Sequence, residues 1–297
     1  MTSLLFAALV FQGSTAVSGH TREVACVATS PKAALAASGS ADLTVRLWDL
    51  DSKKLLVSLE GHGGEVGAVA FSPDGKLLAS GERYNKVKIW DVAARKELQT
   101  YTDIEAPVQS IVFSTDGKRV IAACKDNAVR IWTVGASAGA KKLALKYMAN
   151  AVTVTPDGKS IISGDDGGHI IFWDATTLKQ TRGLAHGSAV RTLAISGDGK
   201  LLASGAWGTL KVWDAATGSE KASAKCEANS VCFAPDGTKV YAGTQDNLVV
   251  CFNTSDLSQA WKQESHDRPV TGVAITADGK TLVSGSMDKT LRLWPLK

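Results

Sequence analysis

Short stretches of alternating apolar and small residues run along this chain, separated by turn-forming residues. Val66, Val69 and Phe71 lie in one such stretch, which ends at Pro73-Asp74-Gly75; Leu77 to Ser80 form a second, and Val87 to Trp90 a third that closes on Asp91. Runs of this length bounded by Pro, Gly and Asp predict antiparallel strands, and an Asp-Gly step supplies the positive φ of a tight hairpin. The turn recurs as Thr115-Asp116-Gly117, Pro156-Asp157-Gly158, Gly197-Asp198-Gly199, Pro235-Asp236-Gly237 and Ala277-Asp278-Gly279, while the first unit has Pro31-Lys32-Ala33. A fourth run, such as Leu55 to Leu59, separates one unit from the next, so each unit supplies four strands.

An aromatic residue closes every third run. Trp48, Trp90, Trp132, Trp173, Trp213, Phe252 and Trp294 follow one another at intervals of 42, 42, 41, 40, 39 and 42 residues. A fixed period of about 40 to 45 residues marks a chain built by stacking one supersecondary unit.

Trp-Asp stands as Trp48-Asp49, Trp90-Asp91, Trp173-Asp174 and Trp213-Asp214, and Gly-His as Gly19-His20 and Gly61-His62. These residues resemble the WD40 repeat family over residues 19–297. The resemblance implies an all-β fold, a seven-bladed WD40 β-propeller forming a single domain over 1–297. The repeats fall at approximately 19–60, 61–101, 102–146, 147–184, 185–224, 225–264 and 265–297. The seventh unit supplies only three strands up to Trp294, so the resemblance implies that the N-terminal strand pairs in the last blade, near Phe11 to Val17, and closes the ring.

The family's blades are often held by a hydrogen-bonded His, Ser/Thr, Asp and Trp. Matched by spacing, the first unit offers His20, Ser38, Asp42 and Trp48, and the last His266, Ser284, Asp288 and Trp294. His62 falls at the same position. The middle units depart from the pattern: Tyr84 replaces the acid in the second, the third keeps Asp126 without a histidine, and the fourth has Gly167 with Asp166 beside it. The fifth is one residue short and places Trp207 there, and the sixth has Asp246 but Phe252.

Composition adds little to this picture. The 297 residues are 44% hydrophobic and 21% charged, with a net charge of +4 and no block of like charges, which argues against nucleic acid as the partner. Cys26, Cys124, Cys226, Cys232 and Cys251 form no CxxC pair and fit a reducing compartment, so a cytoplasmic or also nuclear location is expected. Residues 1–16 have a second reading as a signal peptide, which would make the protein secreted; Leu4 to Phe11 are apolar, but no basic residue precedes them, and the run is too short to span a bilayer.

No catalytic, cofactor or metal site is expected. Gly158-Lys159-Ser160 and Gly279-Lys280-Thr281 resemble the tail of a phosphate loop, but Thr153 and Ala274 stand where the upstream glycine is required, and both segments read as hairpin turns. Family resemblance places binding at the top of the propeller, on three positions per blade. Carried over by spacing, the partner-binding candidates are Arg83, Tyr84, Lys125, Met148, Asp166, Arg191, Trp207, Gln245 and Met287. Trp207 and Tyr84 are the candidate anchors for a peptide or loop, acidic or phosphorylated to suit Arg83, Lys125 and Arg191; their other reading is as fillers of space left by missing carboxylates. The implied function is a monomeric, non-enzymatic scaffold for other proteins. The alternatives are a propeller enzyme with its active site at the channel mouth and an RNA- or ribosome-associated propeller.

Overall fold

The structure, a computed structural model, describes residues 13–296 except 138 and 265. Twenty-eight strands and no helix occur among the described residues, arranged as seven four-stranded antiparallel sheets. In the first blade these are Val24–Thr29, Leu35–Ser40, Val45–Asp49 and Lys54–Leu59, ordered from the inner to the outer strand. The fourth strand of the blades over 147–184 and 185–224 runs one residue past those boundaries, to Ala185 and Lys225.

Local chemistry explains the hairpins. In the second blade Asp74 Oδ1 accepts from Ser72 Oγ at 2.6 Å and from the Lys76 amide at 3.0 Å, and Gly75 takes φ +72°. Only glycine reaches that φ freely, which is why the Asp-Gly pair repeats. Gly117, Gly158, Gly199, Gly237 and Gly279 adopt φ of 69–73° in the equivalent turns.

Each pair of neighbouring sheets encloses its own apolar cluster. Between the first two blades, Val45, Leu47, Val66, Val69, Leu78 and Trp90 pack together. Small residues on the second strands let the blades approach. A Cβ on Gly81 would lie 2.4 Å from Val108 Cγ1, and one on Gly39 2.6 Å from Val66 Cγ1.

The last blade joins the two ends of the chain. Thr15–Ser18 is the outer strand beside Thr290–Pro295, with Thr15 opposite Leu293 and Val17 opposite Leu291. The closing strand thus reaches one residue beyond the expected segment, whose first residues, Phe11 and Gln12, lie outside the described residues. Val17 is buried with Trp48, Leu291 and Leu293. Thr271 Oγ1 donates to the Val24 carbonyl at 2.7 Å, and Thr29 Oγ1 to the Ile275 carbonyl at 2.6 Å, so the first and last blades are stitched along their inner strands as well.

Candidate interaction face

Every inner strand carries a β-bulge at the same place. The register slips between Val24 and Cys26, Val66 and Ala68, Val108 and Ser110, Ala149 and Ala151, Val190 and Thr192, Ala228 and Ser230, and Val270 and Gly272. A bulge leaves one residue outside the ladder and re-aims its side chain. The seven skipped residues, Ala25, Gly67, Gln109, Asn150, Arg191, Asn229 and Thr271, line the central channel, a cavity of about 160 Å³. Some brace the next blade: Asn150 Nδ2 donates to the Val190 carbonyl at 3.1 Å, and Asn229 Nδ2 to the Val270 carbonyl at 3.0 Å.

The residue two before each bulge is tied to the turn between the second and third strands. Backbone amides of Ala41, Arg83, Lys125, Asp166, Gln245 and Met287 donate to the carbonyls of Glu23, Glu65, Pro107, Met148, Glu227 and Pro269 at 2.7–3.0 Å. The three positions per blade picked out by spacing are therefore one local unit, two joined by a hydrogen bond and one at the bulge. The fifth blade departs from this. Its turn is only Trp207-Gly208, with Ala206 paired directly to Thr209 and Gly208 at φ +75°. Trp207 consequently projects to solvent, 53% exposed.

Large exposed apolar side chains concentrate at this end. Among the described residues, Leu43, Tyr84, Tyr147, Met148, Trp207 and Met287 all sit on its turns and connections, whereas Leu55 and Leu98 lie on outer strands. Tyr84 is 64% exposed, so it fills no space inside its blade. The Arg191 guanidinium lies 4.0 Å above the Trp207 ring. Asp166 Oδ1 accepts from Asn150 Nδ2 at 2.6 Å, and Arg83 lies 4.0 Å from Glu65. The structure brings Arg191 and Trp207 into contact; Tyr84 stands on the second blade, so an occupant touching both aromatics must lie across several blades. Tyr147 was missed in favour of its neighbour Met148. It stacks on His169 with centroids 5.4 Å apart, and Lys146 Nζ lies 5.3 Å from its centroid. An aromatic beside a basic residue just before the inner strand was the available signal.

Beneath the face, buried networks hold the turns. His20 Nδ1 donates to Asp42 Oδ2 at 2.8 Å, Ser38 Oγ meets His20 Nε2 at 2.7 Å, and Trp48 Nε1 donates to Ser38 Oγ at 2.8 Å. In the seventh blade His266, Asp288, Ser284 and Trp294 repeat this at 2.7, 2.8 and 2.9 Å. Burial opposes the charge on Asp42, but bonds from Thr44, His20 and Thr21 hold its carboxyl down to about 2.

The departures are resolved differently in each blade. In the second, Glu82 Oε2 takes the acid's role at 2.9 Å from His62 Nδ1. In the fifth, His186 lies at the histidine position, 6.1 Å from Trp213, though spacing did not single it out; its distance of 18 residues to Ser204 equals that of His20 to Ser38. Among the described residues no carboxylate reaches its buried Nδ1. In the fourth, buried Asp165 accepts from His169 Nδ1 at 3.0 Å, leaving Trp173 to donate to Ser163 Oγ. In the third, Trp132 Nε1 donates to Asp103 Oδ1 at 2.7 Å, and Asp126 instead pairs with Arg130 at 2.6 Å. In the sixth, Phe252 packs in an apolar cluster with Ala242. Burial pushes the thiols of Cys26, Cys124 and Cys226 up to about 12, so they are poor nucleophiles.

The family profile described as WD domain, G-beta repeat matches residues 12–49, 53–91, 95–133, 147–174, 178–214, 220–253 and 258–295. All but the fourth match join the outer strand of one blade to the three inner strands of the next, the offset that closes the ring. Among similar curated proteins, U3 small nucleolar RNA-associated protein 12 of Saccharomyces cerevisiae is 33% identical over 92 residues, covering 30% of this chain and 10% of its own length. Protein LST8 homolog of Dictyostelium discoideum is 33% identical over 95 residues, covering 30% of this chain and 31% of its own. Protein RAE1 of Arabidopsis thaliana is 38% identical over 73 residues, covering 23% and 21%. The matched stretch spans less than a third of each of these proteins. With seven profile matches distributed over seven four-stranded sheets, the chain belongs to the WD40 repeat family.

Proposed function

We propose that this protein is a non-enzymatic scaffold whose top face, the turn-bearing end described above, docks a peptide or loop of partner proteins. The observation that carries the reading is the gathering of Leu43, Tyr84, Tyr147, Met148, Trp207 and Met287 at one end of the ring. Exposed apolar and aromatic side chains rimmed by polar groups are what protein interfaces use as anchors. The channel mouth supports the non-enzymatic part: its bulged side chains include one ionisable group, Arg191, and no acid or histidine to transfer a proton. Three cations of the rim are matched by acids, Arg22 and Arg83 with Glu65 at 3.7 and 4.0 Å and Arg268 with Glu23 at 3.6 Å, which favours a protein over a polyanion. One similar protein, of Schizosaccharomyces pombe, is named as a target of rapamycin complex subunit, 28% identical over 93 residues. In the same reading the chain is monomeric and works in the cytoplasm or nucleus.

The test compares partners captured by the wild type, by Trp207→Ala with Tyr84→Ala, and by Leu55→Ala with Leu98→Ala on outer strands. Partners lost only with the first pair, at unchanged melting temperature, support the reading. Loss only with the second pair overturns it.

A further inference from the structure

Arg191 is the one cation among the seven bulged side chains of the channel. The Trp207 ring beneath it fixes the plane of the guanidinium, 4.0 Å away. Among the described residues, Nη1 is buried in the wall without a hydrogen-bond partner, and Nε and Nη2 have no protein partner either. Other arginines with sheltered guanidinium groups are all engaged. Arg130 meets Asp126 at 2.6 Å, Arg182 donates to the carbonyls of Ala215 and Ala216 at 2.6 Å, and Arg119 to that of Ala175 at 2.6 Å. A half-buried cation has lost part of its hydration, and without an anion nothing replaces it. Burial lowers the guanidinium's pKa while the charge of Glu227 pulls the other way, and Glu227 forms no ion pair with it.

We infer that Arg191 seats a single carboxylate, the side chain of an aspartate or glutamate on a partner peptide that dips into the channel mouth. The inference rests on the docking reading above and names the chemistry of its central anchor. A planar carboxylate can take two parallel bonds from the open edge of the fork, held in orientation by the indole. The surroundings select a monoanion. Asn150 Nδ2 bridges Asp166 Oδ1 and the Val190 carbonyl beside Arg191, which brings a fixed carboxylate near the seat. Glu227 adds a second negative charge. A phosphate dianion would meet both acids with one cation to offset them.

The experiment uses three pools of capped nonapeptides with glutamate, glutamine or phosphoserine at the central position and randomised flanks. Binding to the whole protein is read by fluorescence polarisation. The glutamate pool is expected to bind about tenfold more tightly than the glutamine pool, the equivalent of one charge-assisted contact. Arg191→Met keeps an unbranched stem over Trp207 and is expected to erase that difference at unchanged melting temperature. A difference that persists in Arg191→Met overturns the assignment, as does tighter binding of the phosphoserine pool. Equal binding of glutamate and glutamine pools, both weakened by Trp207→Ala, removes the carboxylate seat and leaves the docking face standing. If no pool binds, the docking of short peptides itself fails, and the seat falls with it.

Discussion

Glu82 Oε2 lies 2.9 Å from His62 Nδ1 although Glu82 stands two residues upstream of the position from which Asp42 reaches His20. The extra methylene spans the difference, and Oε2 also accepts from the Gly63 amide at 3.1 Å, as Asp42 does from Thr21. Reach therefore matters more than charge at this site. Glu82→Gln keeps the length and an acceptor for His62, whereas Glu82→Asp keeps the charge and loses the contact. The aspartate variant is expected to be the less stable by about 1–2 kcal/mol in urea unfolding, because it strands a buried imidazole N–H. Equal stability of the two would remove the explanation.

Supplying the acid from the strand leaves Tyr84 free on the turn. Its ring rests on Gly64, where a Cβ would come within 2.0 Å of Tyr84 Cδ2. Gly64→Ala is expected to displace the exposed ring at a cost of about 0.5 kcal/mol or less, since the tyrosine can swing into solvent. Binding of partners that need Tyr84 should fall as far as with Tyr84→Ala, measured by titration at matched melting temperatures.

The sixth blade is a natural deletion of the Trp–Ser bond. Phe252 stands for the tryptophan and Ala242 for the serine that five of the other blades bring within hydrogen-bond reach of it, as Ser80 is for Trp90 at 2.7 Å. Phe252→Trp alone would bury an indole N–H without an acceptor and enlarge a packed side chain, costing about 1–3 kcal/mol. Adding Ala242→Ser restores the acceptor. A double-mutant cycle is expected to give a favourable coupling of about 1 kcal/mol or more; strict additivity would contradict the geometry. The converse truncation, Trp48→Ala or Trp294→Ala, should cost about 3–5 kcal/mol on the same unfolding measurement.

Much of this was legible in the sequence because the repeat multiplies weak signals. One Asp-Gly turn says little, but six at a common phase with an aromatic every 39–42 residues fix the blade count, and the spacing of His20, Ser38, Asp42 and Trp48 carried over directly. What escaped were solutions that keep the contact and change the residue's place. Glu82 reaches from a neighbouring position, Asp103 approaches Trp132 from the loop before the blade, and Asp165 turns to His169 within its own hairpin. The bulges were equally hidden, since a skipped residue such as Arg191 leaves no mark in an alternating pattern.

Acid should weaken the ring in two stages. His20, His62, His186 and His266 all have pKa values below the usual 6.5, first because burial disfavours the imidazolium. The unfolded chain then takes up protons before the folded one, so stability is complete above about pH 6.5 and declines as pH falls toward the folded values. Asp42, Glu82 and Asp288 are also depressed despite burial, by their hydrogen bonds, Asp42 to about 2. Their contribution is intact above about pH 4.5 and is lost on further acidification. Melting temperature is expected to be level near pH 7 and to fall in both windows. His186→Gln, which removes the imidazole that has no carboxylate, should soften the first fall and leave the second.

The closing strand has four residues, and one of them is decisive. Val17 is the buried side chain of the closing strand, packed with Trp48, Leu291 and Leu293, while its neighbour Ala16 faces outward. Val17→Asp would place an unpaired charge in that cluster and is expected to cost about 3 kcal/mol. It should also uncover the edge of Thr290–Pro295, whose free amides and carbonyls are a template for another chain. Size-exclusion chromatography should then show concentration-dependent association. Ala16→Asp changes the same strand by the same charge on its exposed side and should stay monomeric, within about 0.5 kcal/mol of wild type. If both variants behave alike, burial of Val17 is not what holds the ends together.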